Sequence, residues 1–297
     1  MATMESPSAW ARKPLVSVIV VSHQSAQQIV ACLASVREHP CRDGQEVIVV
    51  DNASTDGTGA LISRQFPDVR LVVSPRRRGF AANCNAGARL ANGRTLLFLN
   101  PDTQVTRGAI DGLVKTLEED PAIAVVAPRL VYPDGSEQPS ARRFPTPMTT
   151  LVRRSPLRWL MRNSVWERRH LMLDRREHHT RGHQPVDVDW VLGAAIAIPA
   201  DIYGRLGGMD AGYRLYCEDI DFCWRAWTSG YRVVQASSTT MVHDLAELTR
   251  HRFATRASVW HLRSMARFVL RHGVPRPAIA RPKSELAYQG SDAVGQT

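Results

Sequence analysis

Ser22 and His23 directly follow the apolar run Leu15–Val21, Asp51 and Asn52 follow Glu46–Val50, and Asn100-Pro101-Asp102 follow Thr95–Leu99. Open α/β sheets bind ligands in the crevice outside the carboxyl ends of their strands, so these polar residues stand where a ligand would. Singly, each is an ordinary loop residue or helix cap; together, on three strands, they point to a common site. Asp102 presents a hard oxygen ligand at the end of a buried-type strand, with Pro101 stiffening the approach. Such a carboxylate suits Mg2+ or Mn2+ bridging a diphosphate, and His243, in Met241-Val242-His243-Asp244, can complete the sphere or serve as a structural histidine.

The densest acidic cluster, Glu218-Asp219-Ile220-Asp221, opens a helix that continues Phe222-Cys223-Trp224-Arg225. The helix macrodipole alone accounts for carboxylates in a first turn. Three acids beside aromatic residues can equally hold a general base whose pKa its neighbours set. The residues alone leave both readings open.

These groups need a scaffold, and β-branched strands alternating with helices over residues 15–99 predict a parallel sheet with helices on both faces. The pattern predicts helices from Ser25, through a capping box, to about His39, over Leu61–Phe66 and over Gly79–Leu90, with a strand at Val69–Val73. Further on it predicts a basic helix over 150–180, a strand over Val188–Ile198, a helix over Asp219–Ser229 and a strand over Tyr231–Gln235. A last helix over about 249–272 is followed by a tail that reads as disordered. The proline- and arginine-rich stretch after Pro128 suggests a loose boundary.

No glycine-rich turn follows the first strand, which argues against a dinucleotide fold, and no GxxxxGK[ST] occurs. Five cysteines without a CxxC pair indicate neither a zinc site nor a disulfide framework, consistent with a reduced, cytoplasmic setting. The longest apolar run, Val191–Pro199, is far short of the roughly 20 residues that span a bilayer, so membrane contact is expected to be peripheral.

Val16–Val21, Val49–Thr58, Gly79-Phe80 with Asn85-Ala86-Gly87, Asn100-Pro101-Asp102, Gly193-Ala194, Gly207–Asp210 and Glu218–Asp221 occur in the order found in family 2 inverting glycosyltransferases. The chain most resembles the bacterial rhamnosyltransferase-like branch, over about residues 15–245. This resemblance implies a glycosyltransferase A-type α/β fold, a Rossmann-like mixed sheet flanked by helices, here with basic helical additions. Residues 15–128 would form a nucleotide-sugar half and 129–245 an acceptor half carrying a basic insertion at 150–183. A tail at 1–14, an amphipathic helix at 246–273 and a tail at 274–297 would flank them. It implies that Ser22 and His23 line the base pocket, that Asp51 contacts a pyrimidine base, and that Asp102, with His243, holds the metal. Asn52, Arg78, Gly79, Asn85 and Asn100 would add donor contacts; Gly193, Ala194 and Glu218 would stand on the acceptor side; Asp219 would be the catalytic base. Arg76-Arg77-Arg78 depart from the family, which usually has Asn two residues before the Gly-Phe pair, and add phosphate-binding charge.

Net charge is +10 and unevenly spread. Residues 151–183 and 245–297 each carry +6, whereas 184–244 carry −4. Trp159 and Trp166 share a helical face in the first block, and Val259, Leu262, Ala266 and Val269 oppose Arg263, Arg267 and Arg271 in the second. Basic helices of this kind either lie on an anionic membrane or pack their apolar faces on the domain. Together these readings predict transfer of a sugar, rhamnose from dTDP-rhamnose, to a polyprenyl-diphosphate-linked or growing surface glycan at the inner face of the membrane. One rival uses a UDP-hexose or another deoxysugar; a second is a non-catalytic polyanion or nucleic-acid binder. The second leaves the acidic cluster unexplained and lacks zinc-finger or RNP-type motifs, so no nucleic-acid partner is expected.

Overall fold

The computed structural model describes residues 14–145, 164–173, 184–244 and 256–273. The first half alternates as expected: β1 (Val16–Ser22), α1 (Ile29–Glu38), β2 (Gln45–Asp51), α2 (Thr58–Gln65), β3 (Arg70–Val73), α3 (Phe80–Ala88) and β4 (Thr95–Leu99). There follow β5 (Thr103–Val105), α4 (Ala109–Glu119), β6 (Ile123–Val131), β7 (Glu137–Gln138), β8 (Ala141–Arg142) and α5 (Val165–His170). The remainder comprises β9 (Val186–Asp187), β10 (Trp190–Val191), β11 (Ala195–Pro199), α6 (Ala200–Arg205), α7 (Glu218–Thr228), β12 (Arg232–His243) and α8 (Arg256–His272).

The main sheet runs β3-β2-β1-β4-β11-β6-β12-β5, with β7 beside β6 and β9 beside β12. Strands β1 to β4 are mutually parallel where they pair, and Ser22 lies opposite Asp51 at the carboxyl ends. Side chains alternate across the sheet: Val18 and Val20 pack beneath α1 with Leu97 and Leu99, whereas Ile19 and Phe98 join Ile196, Tyr203 and Trp224 on the opposite face.

The sheet is mixed, where the strand–helix rhythm alone predicts a parallel one. Strand β11 enters antiparallel between β4 and β6, and β5 pairs antiparallel with the end of β12. The expected strand over Val188–Ile198 divides into β10 and β11, because Leu192 donates its N–H to Ser140 and Ala194 turns its carbonyl to Asn100. Strand β12 continues past Gln235 to His243 after an irregularity between Ala236 and Thr240. The boundary near Pro128 falls inside β6, and both halves of the chain share one sheet.

Ser25 does not cap α1. Its hydroxyl bonds the His23 carbonyl, and the helix starts from Gln28 without a side-chain cap. Helix α4 buries Ile110, Leu113, Val114 and Leu117 at i, i+3, i+4 and i+7, an amphipathic pattern legible in the sequence that the expected elements omit. Helix α8 buries Ser264, Met265 and Phe268, while Val259, Leu262 and Ala266 of the expected apolar face are exposed. Most of the basic helix over 150–180 and both termini lie outside the described residues; α5 is the described part.

Gly93, in the turn into β4, lies so close to β1 that a Cβ would stand 2.5 Å from the Ser17 nitrogen and 2.7 Å from the Val16 carbonyl carbon. Backbone atoms of a central strand cannot yield cheaply. Gly93→Ala is therefore expected to cost about 1–3 kcal/mol, a drop of roughly 2–12 °C in Tm. Gly204→Ala, in open space on α6, should leave Tm unchanged or slightly raised. Thermal melts of the two variants provide the comparison.

Candidate active site at the carboxyl ends of the central strands

A cavity of about 780 Å3 opens where β1, β2 and β4 end. Ser22, His23 and Asn52 line one side, Asn100, Pro101 and Asp102 another, and Arg77 and Arg78 a third. The Ser22 hydroxyl oxygen is fully buried and has no hydrogen-bond partner among the described residues. His23 Nδ1 lies 2.9 Å from the Asn52 carbonyl; since a carbonyl only accepts, Nδ1 carries the proton and Nε2 is left able to accept from a ligand. Asn52 uses its side chain to hold the arginine loop: its Oδ1 accepts from the Arg78 N–H at 2.7 Å and its Nδ2 donates to the Arg78 carbonyl at 3.0 Å.

Three of the expected donor residues are placed otherwise. Asp51 is 2% exposed and does not line the cavity; its carboxylate accepts the Ser54 hydroxyl. Asn85 is a tether rather than a donor contact. Its Oδ1 accepts from Tyr203 Oη at 2.5 Å and from the Met209 N–H at 3.0 Å, and its Nδ2 donates to the Met209 carbonyl. Asn85 is not among the residues that line the cavity, and these bonds fasten α3 to the Gly207–Met209 turn. Gly79 serves close packing: a Cβ there would lie 2.8 Å from the Tyr213 carbonyl oxygen and 3.2 Å from Arg214 Cα. That contact sets the segment bearing Arg214 over the arginine loop.

At the far side, β5 and β12 bring Asp102 to His243. The Asp244 N–H donates to the Asp102 carbonyl, and Asp102 Oδ1 faces His243 Nε2 at 3.3 Å. Both atoms are buried, and neither has a hydrogen-bond partner among the described residues. His243 Nδ1 is 2.7 Å from Gln138 Oε1, and an amide oxygen there requires the proton on Nδ1. In the neutral ring Nε2 then presents a lone pair to a carboxylate oxygen; in the protonated ring it forms an ion pair with that oxygen. With the ring neutral, the two facing acceptors fit a divalent ion bound to both, with Gln138 orienting the ring. The described residues contain no group of three or more such ligands.

Helix α7 follows two consecutive non-glycine residues with left-handed backbone, Tyr216 at φ 65° and Cys217 at φ 69°. Such residues cost of order 1–3 kcal/mol each and persist where the surroundings over-determine them. The turn separates three acids into three environments. Asp221 is fully buried and fully used, accepting from Arg225 Nε at 2.7 Å and Tyr213 Oη at 3.1 Å, with His272 Nε2 at 2.7 Å. Glu218 is buried with one carboxyl oxygen unpartnered; burial, reinforced by Asp219, pushes its pKa up to about 8. Asp219 is half-buried, accepting from the Gly193 N–H at 3.2 Å, and burial raises its pKa above the usual carboxylate value. The next residue, Ala194, accepts from the Asn100 N–H at 2.8 Å. Asp219 therefore stands one peptide away from the cavity wall that Asn100 and Asp102 form, although it does not itself line the cavity.

The sequence marks Val259 and Arg263 only as opposite faces of an amphipathic helix and does not mark the fourth wall as such. Arg214 and Leu215, before α7, and Val259, Trp260 and Arg263, on α8, close the cavity. Arg214 lies 4.4 Å and Arg263 5.3 Å from the Trp260 ring centre. Only the tertiary fold joins these positions, nearly 50 residues apart; no local pattern announces them.

Comparison with known proteins places this geometry. Residues 17–177 match the model of glycosyl transferase family 2. Over 263 residues, the chain is 27% identical to the N-acetylglucosaminyl-diphospho-decaprenol L-rhamnosyltransferase of Mycobacterium tuberculosis, covering 84% of this chain and 81% of that protein. Among solved structures, the mannosyltransferase PcManGT of Pyrobaculum calidifontis, in complex with GDP-Man and Mn2+, superposes with a TM-score of 0.60 at 22% identity, covering 96% of this chain and 71% of that one. GalNAc-T7, with UDP, GalNAc and Mn2+, gives 0.62 at 17% identity, covering 95% and 55%. The mixed sheet with flanking helices is thus the glycosyltransferase A-type fold. With the family pattern extending over more than half of its length, the chain belongs to glycosyl transferase family 2.

Proposed function

We propose that this glycosyltransferase moves rhamnose from dTDP-rhamnose, with inversion, to a sugar carried on a polyprenyl diphosphate, in cell-envelope glycan synthesis at the inner face of the membrane. The observation that carries the reading is the juxtaposition of Asp102 Oδ1 and His243 Nε2, 3.3 Å apart and buried at the rim of a cavity of nucleotide-sugar size. Asp102 and His243 would hold the divalent ion, Mg2+ or Mn2+, which when bound neutralises charge on the departing nucleoside diphosphate. The name of the mycobacterial relative supports the donor sugar and the lipid-linked acceptor.

In this scheme Ser22 and His23 line the base end, Asn52 keeps the arginine loop in place, and Arg77 and Arg78 supply charge-assisted bonds to phosphate. Asp219 takes the proton of an acceptor hydroxyl while that oxygen forms a bond to the anomeric carbon. The bond from that carbon to the diphosphate oxygen breaks, its electron pair leaves with the nucleotide, and one displacement inverts the centre. The raised pKa of Asp219 makes it a better proton acceptor than an exposed aspartate, and the Gly193 N–H fixes its orientation.

Asp219→Asn should lower kcat by about 10²–10⁴-fold with donor affinity unchanged, measured by transfer assay and by isothermal titration with dTDP-rhamnose. Turnover near wild type would remove Asp219 from the role. In the wild type, the acid limb of kcat/KM should lie above the ordinary aspartate range.

Asp102→Ala and His243→Ala should each abolish the extra thermal stabilisation that Mn2+ confers on the nucleotide complex; an undiminished Mn2+ effect in both would reject the metal assignment.

Glu218 binds a proton in the folded state across the interval from its ordinary value near 4.5 up to about 8, whereas the unfolded chain loses it near 4.5. Its contribution to stability is therefore fully present below about 4.5 and declines as pH rises through 8. Glu218→Gln should flatten that decline, visible as a smaller fall in Tm between pH 5 and pH 8.5 in buffered melts.

A further inference from the structure

The cavity holds more positive charge than a donor needs. Four arginines, Arg77, Arg78, Arg214 and Arg263, line it against a single carboxylate, Asp102. None of the four has a carboxylate within ion-pair distance among the described residues, whereas Arg267 and Arg271 farther along α8 are both bound to Asp210. A divalent ion and the diphosphate of a nucleotide-sugar largely cancel each other. The loaded cavity would still carry an excess of cations over Asp102, enough to attract a second anion.

Arg214 and Arg263 come from different elements and both lie against Trp260. Packing of this kind orients a planar guanidinium while leaving its N–H donors available, the arrangement that suits bidentate recognition of phosphate. From the same place an apolar stripe leaves the cavity along α8: Val259 is 51% exposed, Leu262 49% and Leu270 88%, with exposed Ala266 between them. These positions lie at i, i+3, i+7 and i+11 on one helical face, a track about 16 Å long that starts in the cavity wall. Cations at one end and exposed apolar surface running outward match an amphiphile with an anionic head.

We propose that Arg214 and Arg263, held against Trp260, form a second anion subsite that takes the diphosphate of an isoprenoid lipid, whose chain lies along Val259, Leu262 and Leu270. The inference rests on the lipid-linked acceptor of the proposed function and gives that acceptor a place distinct from the donor's. The order of groups follows: donor diphosphate toward Asp102 and Arg78, acceptor diphosphate toward α8.

Farnesyl diphosphate, below its micelle concentration, serves as the probe in isothermal titrations of the full chain saturated with dTDP and Mn2+. The wild type should bind it while retaining dTDP, and should bind inorganic pyrophosphate at least about tenfold more weakly, since the stripe contributes nothing there. Arg214→Gln/Arg263→Gln should weaken farnesyl diphosphate by about tenfold or more, with dTDP affinity within about twofold. Leu262→Ser/Leu270→Ser should weaken farnesyl diphosphate but not pyrophosphate. The proposal is overturned if farnesyl diphosphate displaces dTDP one for one, which assigns the arginines to the donor. It is overturned equally if the arginine variant binds the probe as the wild type does, or loses only binding to phosphatidylglycerol vesicles, which assigns the arginines to the membrane surface. Failure of the wild type to bind dTDP or UDP would sink the donor reading instead; titration of farnesyl diphosphate without nucleotide then decides the subsite by the same comparison of variants.

Discussion

A buried carboxylate oxygen and a buried imidazole nitrogen meet at 3.3 Å, and the end of this sheet is arranged around that contact. Strand β4 delivers Asp102, β12 delivers His243, and the short β5 locks the two together by pairing with β12 and leaving the Asp102 carbonyl to accept from Asp244. Gln138 Oε1, 2.7 Å from His243 Nδ1, orients the imidazole ring. These contacts turn the carboxylate and the ring toward the same point, where positive charge, a second ring proton or a bound cation, offsets the burial of the carboxylate.

The first turn of α7 shows how neighbouring carboxylates acquire different properties from packing alone. Asp221 is consumed in holding Arg225, Tyr213 and His272, so it ties α7 to the preceding loop and to α8. Glu218 is buried without full compensation and retains its proton into the neutral range. Asp219, half-buried, accepts from the Gly193 and Ile220 N–H groups, which counter the rise in pKa that burial causes. The strained Tyr216–Cys217 turn sets this partition, because a shift of one residue in the helix start would exchange the three environments.

Much of this architecture could be read from the chain. Strand ends were legible because an apolar run followed by a polar residue has one meaning in a buried parallel strand, so Ser22, Asn52, Asn100 and Asp102 lie at the cavity as expected. The acids of α7 were legible as a cluster, but their separate roles were not, since those depend on Tyr213, Arg225 and His272 approaching from elsewhere. Asn85 and Gly79 carry family-like motifs whose positions serve packing against Met209 and Tyr213; a motif records that a residue type is required without saying why. The expected apolar face of α8 was offset because the helix buries its Ser264, Met265 and Phe268 side and uses Trp260 to close the cavity. The antiparallel insertion of β11 had no local signature, as its five apolar residues would suit either direction.

That insertion bears on how the molecule can move and assemble. Because β11, from the later part of the chain, separates β4 from β6, the halves are interleaved rather than joined at a seam. No hinge can swing one half away from the other without tearing central strand pairs, so access to the cavity must be controlled by its peripheral segments. On a ribosome, the sheet stays divided until nearly two hundred residues have emerged. Over that interval the exposed flanks of β4 and β6 are the vulnerable surfaces of the nascent protein, and a fragment ending before β11 would leave them open.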